Sequence, residues 1–459
     1  MGLVTNSTVD ASLRGATAED LLQPRRAQGA EAVDVDVVDA LERAVGVVAV
    51  IGLGYVGLPT ALALVEAGFS VVGCDISETR LAAIKTEQVD LLDADHARLH
   101  QHLGSEHLTL TTEPSACSVA DLVLICVPTP VDEHMVPDLS ALNAACASVV
   151  IHAVAGQIIV LTSTTYVGCT RELLATPLRE RGLVVGRDVF VAFSPERIDP
   201  GNPAHVPKQT PRVAGGMSST CTSRASDVLS RISAVVHPVS SPEVAEMTKL
   251  LENTFRAVNI ALANEFSGIA REFEIDPIEV IHAAATKPYG FMAFYPGPGV
   301  GGHCIPCDPH YLLWQLKARR ASTPLIATAM EAIALRPRAV VSRAGQVLAA
   351  HAKALAGARV LVLGVTYKPA VADVRESPAV AILDELAAVG AEVAYTDPLI
   401  ATLKTATRQL TAIADPAARA WDLVIVHTLH PWVDHSWLNR ACVLDATYQL
   451  PATTGLHVP

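Results

Sequence analysis

Aromatic residues are scarce in this chain of 459 residues, where Phe, Trp and Tyr make up 4%. No apolar run has the length of a membrane span or of a signal peptide, because Gly, Pro or charged residues interrupt the long apolar stretches. Nine cysteines in a chain of this length do not make a disulfide scaffold. These absences predict a soluble cytoplasmic protein that does not bind membranes.

Basic residues are too few for a nucleic-acid-binding surface. Subtracting 47 acidic from 34 basic residues gives a net charge of −13, which argues against nucleic acid and anionic membranes as partners. An anionic small molecule stays possible, because helix N-termini and a few local cations can hold a phosphate.

Short apolar runs that end in small polar residues recur along the chain, for example VVAVIG, DLVLICVPTP and QIIVLTSTT. Strands of this kind that alternate with helical patterns predict parallel sheets. The fold class is therefore α/β, with two Rossmann-like doubly wound domains joined by a central helical region. The expected divisions are an N-terminal extension over 1–45 (partly disordered, then a short helix), a first doubly wound domain over 46–240, a central helical region over 241–352 and a second doubly wound domain over 353–459.

Two long helical patterns fill the central region. One begins at Pro242 and shows a sustained 3.6-residue period, which suggests a subunit interface. The other runs over residues 324–351 and contains Pro337, which should kink or divide it.

A dinucleotide fingerprint follows the first predicted strand. Gly52, Gly54 and Gly57 match G-x-G-x-x-G, and Asp75 ends the next predicted strand. The glycines would allow a tight turn, close approach of a pyrophosphate and helix–sheet packing. Asp75 would accept hydrogen bonds from a ribose and repel a 2′-phosphate, so NAD is favoured over NADP, a preference that the nearby Arg80 weakens.

The stretch GPGVGGHCIPCDPH at residues 297–310 allows three interpretations. A metal site would use His303, Cys304, Cys307 and His310, but no second ligand pair is evident and two prolines stiffen the segment. A redox pair would need the motif to open a helix after a strand, but the motif follows a loop rich in Gly and Pro. A single reactive thiol at Cys304, with glycines that let the backbone approach a ligand and present bare N–H groups to it, explains more of the residues. We therefore expect no metal.

A polar stripe with helical spacing lies in the helix that begins at Pro242. Lys249, Asn253 and Arg256 follow one another at i, i+4 and i+7. Such a stripe can be a solvated face, but its apolar neighbours favour a buried one. Beside an NAD site and a thiol, these groups suit oxidation of an alcohol to an acid through an enzyme-bound thioester.

Several long motifs resemble the UDP-glucose/GDP-mannose dehydrogenase family, most closely its UDP-N-acetylglucosamine 6-dehydrogenase branch. They include GLGYVGLP, STTYVG, SPERIDPGNP, TKPYGFMAFYPGPGVGGHCIPCDPHYL and YKPAVADVRESP, within residues 47–445. The resemblance implies NAD bound by the domain over 46–240, a UDP-sugar substrate bound by the domain over 353–459, and a homodimer or higher homo-oligomer formed through the central region over 241–352.

The resemblance also implies roles for individual residues. Cys304 would carry the covalent intermediate. The other catalytic groups would be Lys249, Asn253, Glu196, Asp308 and Thr164. Cofactor contacts would come from Thr129, Thr164 and Arg375, besides the fingerprint residues Gly52, Gly54, Gly57, Asp75 and Arg80. Substrate contacts would come from Arg197, Lys249, Asn253, Arg256, Tyr289, Tyr295, Gly301 and Lys368.

The leading hypothesis is an NAD-dependent, four-electron oxidation of the C6 alcohol of a UDP-N-acetylhexosamine, with UDP-N-acetylglucosamine as the first candidate. Alternative substrates are UDP-glucose, UDP-N-acetylmannosamine and GDP-mannose. A two-electron hydroxyacid dehydrogenase would not need the thiol, and a catalytically silent UDP-sugar binder is the alternative of another class. One departure from the family is DATYQL at residues 445–450, where relatives commonly show an arginine after a D-S or D-T pair, which leaves a substrate contact in question.

Overall fold

The computed structural model describes residues 46–89, 91, 93–197, 207–302, 304–451 and 456–459. The N-terminal extension expected over residues 1–45 lies outside this part of the chain. Among the helices of the described residues, none combines the length and the apolar character needed to cross a membrane.

The first sheet has eight strands in the order β3-β2-β1-β4-β5-β6-β7-β8. Neighbouring strands are parallel except β6 and β7, which are antiparallel. The order reverses between β1 and β4, and such a reversal opens a ligand crevice at the carboxyl ends of the strands. The strands are β1 Val47–Ile51, β2 Ser70–Cys74, β3 Leu108–Thr111, β4 Leu122–Ile125, β5 Ile158–Leu161, β6 Phe190–Phe193, β7 Arg212–Gly216 and β8 Val236–Val239.

Helices cover both faces of this sheet, which is why its central strands are apolar at every position. Strands β4, β5 and β6 are buried at every residue, as expected for parallel strands packed on both sides. The helices are α1 Gly57–Glu66, α2 Glu78–Lys85, α3 Asp93–His102, α4 Ser140–His152, α5 Thr176–Glu180 and α6 Ser219–Leu229. Shorter helical turns lie at Pro114–Val119, Arg171–Ala175 and Pro207–Gln209.

Four helices follow the first sheet: α7 Pro242–Glu272, α8 Pro277–Ala285, α9 Cys304–Ala318 and α10 Pro324–Ala350. Apolar side chains of α7, α9 and α10 form a separate core around Ala257, Ile305 and Met330. The expectation that Pro337 divides the second long helix is wrong, because α10 continues through it.

The second sheet has five parallel strands in the order β10-β9-β13-β14-β15. Its strands are β9 Arg359–Leu363, β10 Glu392–Thr396, β13 Leu423–Val426, β14 Val443–Asp445 and β15 Leu456–His457, with a hairpin of β11 Thr402–Lys404 and β12 Gln409–Thr411. Helix α11 spans Pro378–Ala388, and a short helical turn lies at Ser436–Arg440. The predicted fold class, two Rossmann-like units joined by helices, is confirmed.

Candidate active site

The glycine-rich turn between β1 and α1 uses each of its three glycines differently. Gly52 has φ +90°, and a Cβ there would lie 2.7 Å from the carbonyl oxygen of Cys126. A Cβ on Gly57 would lie 1.8 Å from the carbonyl oxygen of Gly52, so both positions exclude a side chain. Around Gly54, no described atom lies within 4 Å of the position a Cβ would take. This opening lies just before the N-terminus of α1, where backbone N–H groups favour a pyrophosphate.

Asp75 is fixed beside the same turn. Its carboxylate accepts hydrogen bonds from the backbone N–H groups of Leu53 and Ser77, each at 2.9 Å. The Nε of Arg80 donates to the carbonyl of Leu53 at 2.9 Å. The carboxylate therefore lies at the end of β2 next to the crevice, as a ribose-binding acid requires.

The second sheet repeats this arrangement but buries its acid. Gly364, after β9, has φ +77°, and Asp397, after β10, accepts a hydrogen bond from Val365 N–H at 2.7 Å. His430 Nε2 lies 3.3 Å from the same carboxylate. Burial opposes the charge, but the hydrogen bonds from His430 and the backbone hold the pKa of Asp397 below its ordinary value. Because hydrogen bonds from His430 and the backbone already use the carboxylate of Asp397, the turn after β1 is the better dinucleotide site.

Helix α7 carries a row of three buried polar residues, Glu246, Lys249 and Asn253. Each holds a different loop. Glu246 accepts hydrogen bonds from the N–H groups of Gly168 at 2.6 Å and Thr170 at 2.9 Å. Burial raises the pKa of Glu246 above its ordinary value. Sequence reasoning missed Glu246, although it lies at i−3 from Lys249 on the same helical face.

Lys249 and Asn253 bring two further segments together. Lys249 Nζ donates to the backbone carbonyl of Glu196 at 2.8 Å, and Asn253 Nδ2 donates to the carboxylate of Asp308. Asp308 is 1% exposed. Burial raises the pKa of Asp308 to about 6, against the opposing effects of Lys249 and Asn253. Its Oδ1 has no hydrogen-bond partner among the described residues.

The carboxylate of Glu196 is held by a buried arginine. Arg212 Nη2 lies 2.5 Å from Glu196 Oε2, and the N–H of Arg197 donates to Oε1 at 2.8 Å. The side chains of both Arg212 and Glu196 are about one-tenth exposed or less. Sequence reasoning missed Arg212; the available signal was a charged residue within an apolar strand pattern, which needs an acidic partner when buried.

Cys304 is the first residue of α9, and its side chain lies outside the described part of the structure, as does His303. The C-x-x-C motif thus opens a helix, but it follows a loop and not a strand, as expected from the sequence. Asp308 lies one helical turn after Cys304, and Cys307 is buried.

The glycines before Cys304 make room for the C-terminal domain. A Cβ on Gly299 would lie 2.7 Å from the ring of Pro378, and one on Gly301 would lie 2.6 Å from Tyr367 Cβ. The N–H of Gly302 donates to the carbonyl of Arg375 at 3.0 Å. The expectation that these glycines present bare N–H groups to a ligand is therefore wrong at Gly302, because a neighbouring loop occupies that donor.

Two threonines lie beyond the ends of central strands, and two basic residues come from the loop after β9. Thr129 is buried, with its carbonyl accepting a hydrogen bond from Tyr311 Oη at 3.0 Å, while Thr164 is partly buried after β5. Arg375 lies over the ring of Tyr55 in the glycine-rich turn. Lys368 is partly buried in the same loop as Arg375.

Three family models match the chain. The NAD binding domain of the UDP-glucose/GDP-mannose dehydrogenase family matches residues 47–233, the central domain 243–332 and the UDP binding domain 361–451. The chain belongs to the UDP-glucose/GDP-mannose dehydrogenase family.

Individual relatives cover most of the chain. It is 36% identical to UDP-N-acetyl-D-glucosamine 6-dehydrogenase of Pseudomonas aeruginosa over 83% of this chain and 90% of that protein. It is 33% identical to NDP-N-acetyl-D-galactosaminuronic acid dehydrogenase of Ralstonia solanacearum over 87% of this chain and 95% of that protein. The structure of UDP-D-ManNAc dehydrogenase from Pyrococcus horikoshii superposes with a TM-score of 0.81 at 29% identity, covering 90% of this chain and 98% of that one.

Membership in the UDP-glucose/GDP-mannose dehydrogenase family confirms the predicted enzyme class, an NAD-dependent nucleotide-sugar dehydrogenase, and the cofactor NAD. The residues at the first sheet fit NAD, because the turn leaves Gly54 open and Asp75 stands at the crevice.

Four residues expected to bind substrate are not brought into the buried cluster. Arg197 pairs with Glu252 and donates to the carbonyl of Pro211 at 2.9 Å. Arg256, Tyr289 and Tyr295 are exposed. Their substrate contacts stay predictions.

The DATYQL segment lacks the expected arginine, but an arginine from α10 contacts it. Arg336 Nη2 lies 3.3 Å from Tyr448 Oη, and Arg336 Nε donates to the carbonyl of Gly297 at 2.8 Å. Arg336 is buried, so it links the segment before Cys304 to the end of the second sheet.

Proposed function

We propose that this protein oxidises the C6 alcohol of a UDP-N-acetylhexosamine to the uronate in two NAD-dependent steps, with UDP-N-acetylglucosamine as the first substrate to test. The observation that carries the proposal is the convergence on one buried site of Lys249, which binds the Glu196 segment, and Asn253, which binds Asp308 on the first turn after Cys304. A simple alcohol dehydrogenase or a silent binder has no need of this set beside a cysteine.

In the proposed reaction, the sugar alcohol loses two electrons and becomes an aldehyde. The Cys304 sulfur adds to the aldehyde carbon to form a thiohemiacetal, which loses two more electrons to become a thioester. Water then displaces the sulfur and releases the acid. Overall, one alcohol, one water and two NAD⁺ give one carboxylate, two NADH and three protons. NAD, when bound at the glycine-rich turn, accepts the hydride in each oxidation.

The protein groups supply charge and proton transfer at the reacting carbon. Lys249 and Asn253 would stabilise the oxygen that becomes negatively charged. Asp308, whose pKa burial raises to about 6 and whose Oδ1 has no partner among the described residues, is suited to order water and take its proton. Glu196 would assist hydrolysis, with Arg212 holding its carboxylate. The start of α9 favours a thiolate at Cys304, because helix N-termini carry partial positive charge.

UDP-N-acetylmannosamine is the second candidate substrate, since the Pyrococcus horikoshii protein named for that sugar superposes closely. The stereochemistry at C2 and C4 of the sugar separates these candidates. A panel of nucleotide sugars with NAD, scored for acid product, decides between them.

The decisive experiment replaces Cys304 with Ser and keeps Cys307→Ser as the matched control. With UDP-N-acetylglucosamine, the unaltered enzyme should form two NADH per sugar consumed. Cys304→Ser should form almost no uronate, while Cys307→Ser keeps the two-to-one stoichiometry. One NADH per sugar, or uronate formation by Cys304→Ser, would overturn the thioester route.

We further propose that the protein forms a homodimer through α7 and is located in the cytoplasm. The first is supported by a stripe of exposed apolar residues on α7, including Leu262 and Phe266. The cytoplasmic location is supported by the need for NAD and a UDP-sugar, which must be available where the enzyme acts. Cell fractionation tests this location.

A further inference from the structure

Three potential metal ligands meet at the C-terminal end of α10, away from the strand ends that carry the candidate active site. His351 caps α10, Cys442 precedes β14, and His457 lies in β15. One ring nitrogen of each histidine and the sulfur of Cys442 all lie within 4.8 Å of one another. Among the described residues, this is the one group of three or more His, Cys, Asp or Glu side chains with such spacing.

The hydrogen bonds of the two histidines suit metal binding. His351 Nδ1 lies 2.9 Å from the carbonyl oxygen of Val347, so Nδ1 carries the proton and Nε2 is left with its lone pair. A ligating histidine in a metalloprotein commonly donates its other ring N–H to a backbone carbonyl in this way. His457 Nε2 is buried and has no hydrogen-bond partner among the described residues. The two rings meet edge to face, with centroids 5.8 Å apart.

We propose that His351, Cys442 and His457 bind one Zn²⁺ ion, with water at the fourth position. A thiolate with two imidazoles is a ligand set that zinc prefers among the common divalent ions. Zinc–ligand bonds of about 2.0–2.3 Å in a tetrahedron separate ligand atoms by about 3.3–3.6 Å. The three side chains would therefore close by roughly 1 Å when the ion binds. The thiol loses its proton to solvent as the Zn–S bond forms.

Two basic residues lie near the cluster; one of them disfavours a cation and the other is paired with an acid. Arg343 donates from Nε to the carbonyl of Val458 at 3.0 Å, and its positive charge opposes an ion beside His457. Lys353 is bound to Asp422, with Nζ and Oδ1 2.5 Å apart, which offsets its charge. The thiolate of Cys442 contributes the negative charge that the ion requires.

Zinc at this position would fasten the last strand to the central helices. β15 pairs with β14 through Leu444 and His457. Two residues after His457, the carbonyl of Pro459 accepts a hydrogen bond from Tyr448 Oη at 2.7 Å. A metal bridge from His457 to the end of α10 would hold this edge strand in place, so the ion should stabilise the fold without taking part in sugar oxidation.

Cobalt(II) titration of the reduced, chelator-treated full-length protein tests the proposal. We expect one Co²⁺ per chain, with a thiolate-to-cobalt absorption band that an equivalent of Zn²⁺ removes. Cys442→Ser should lose the band. His351→Ala should weaken binding by at least about 10–100-fold, since even changes in the outer shell of a metal site have effects of that size. His351 is exposed, so this variant should fold.

The controls separate this site from the cysteines near the candidate active site. Cys304→Ser, Cys307→Ser and the exposed His134→Ala should keep the band. Zn²⁺ should raise the melting temperature of the unaltered protein but not that of His351→Ala. The proposal is wrong if the unaltered protein gives no thiolate band, if the band survives in Cys442→Ser, or if it depends on Cys304 alone.

Discussion

The guanidinium of Arg375 lies 4.4 Å from the centroid of the Tyr55 ring, so a loop of the second sheet reaches the glycine-rich turn of the first. Asp373 fixes the guanidinium with a contact of 2.7 Å. The cation is thus oriented in advance over the turn where the pyrophosphate of NAD is expected. Through this contact, the second domain reaches the expected cofactor site with Arg375. Its acid at the end of β10, Asp397, is buried and is not available for that role.

Replacing Arg375 with Ala should raise the KM for NAD by about 10-fold or more, because a hydrogen bond to a charged group contributes about 1.5–3 kcal/mol. The effect on kcat at saturating NAD should be smaller. Arg338→Ala is the matched control, since it also removes an arginine that is paired with an acid. Arg338 pairs with Glu385 at the protein surface. An unchanged KM for NAD in Arg375→Ala would remove Arg375 from the cofactor site.

Asp308 should give the enzyme a pH dependence near pH 6. Because burial raises the pKa of Asp308 to about 6, the carboxylate can take a proton only above that pH. We therefore expect kcat to rise with pH through about 6. Asp308→Asn should lower kcat by roughly 10²–10⁴-fold, the usual contribution of a general base, and should abolish this rise.

Asp308 should also make the stability of the fold depend on pH, and stability should fall with rising pH where kcat rises. The pKa of Asp308 in the folded protein lies above its ordinary value of 3.8, so the folded state binds more protons between about pH 4 and pH 6. The free energy of unfolding should therefore fall as pH rises through this window. Denaturant titrations should show that Asp308→Asn loses this component, whereas the exposed Asp227→Asn keeps it. A common pH profile for all three proteins would contradict the raised pKa.

The buried ion pair of Arg212 and Glu196 should contribute strongly to the stability of the fold. Arg212 neutralises Glu196, and both side chains are largely buried. Arg212→Met should therefore lower the free energy of unfolding by about 3–5 kcal/mol, because it leaves the Glu196 carboxylate buried without a partner. Glu196→Gln should cost less, because its amide can still accept hydrogen bonds. Urea unfolding of both variants and of the double variant measures the pair. Equal, small losses would show that water reaches Glu196.

The sequence allowed prediction of features that depend on local periodicity. The apolar runs at β1, β4 and β5 predicted buried strands, and the 3.6-residue period predicted α7. Lys249 and Asn253 were correctly placed on a buried polar face, because the helical repeat fixes their relative direction.

Features that depend on tertiary contacts escaped this reasoning. The contact of Gly301 with substrate stays a prediction, but the residue that excludes a side chain at this position is Tyr367, which lies far away in the sequence. The cluster of His351, Cys442 and His457 has no regular spacing, so no local pattern could predict it. Arg256 was placed on the buried face by its spacing alone, yet in the chain it is exposed.

The apolar stripe on α7 gives the last prediction. Leu251, Phe255, Leu262, Phe266 and Ile269 are spaced by whole helical turns, and each is at least 42% exposed. An exposed apolar face of this size is typical of protein–protein contacts, and the proposed partner is a second copy of the chain in a closed symmetric dimer. We expect the unaltered protein to behave as a dimer in light scattering and Phe266→Asp to become monomeric. Val119→Asp is the matched control, because it introduces the same charge at an exposed apolar residue outside the stripe. If both variants remain dimeric, the subunit contact must use another surface.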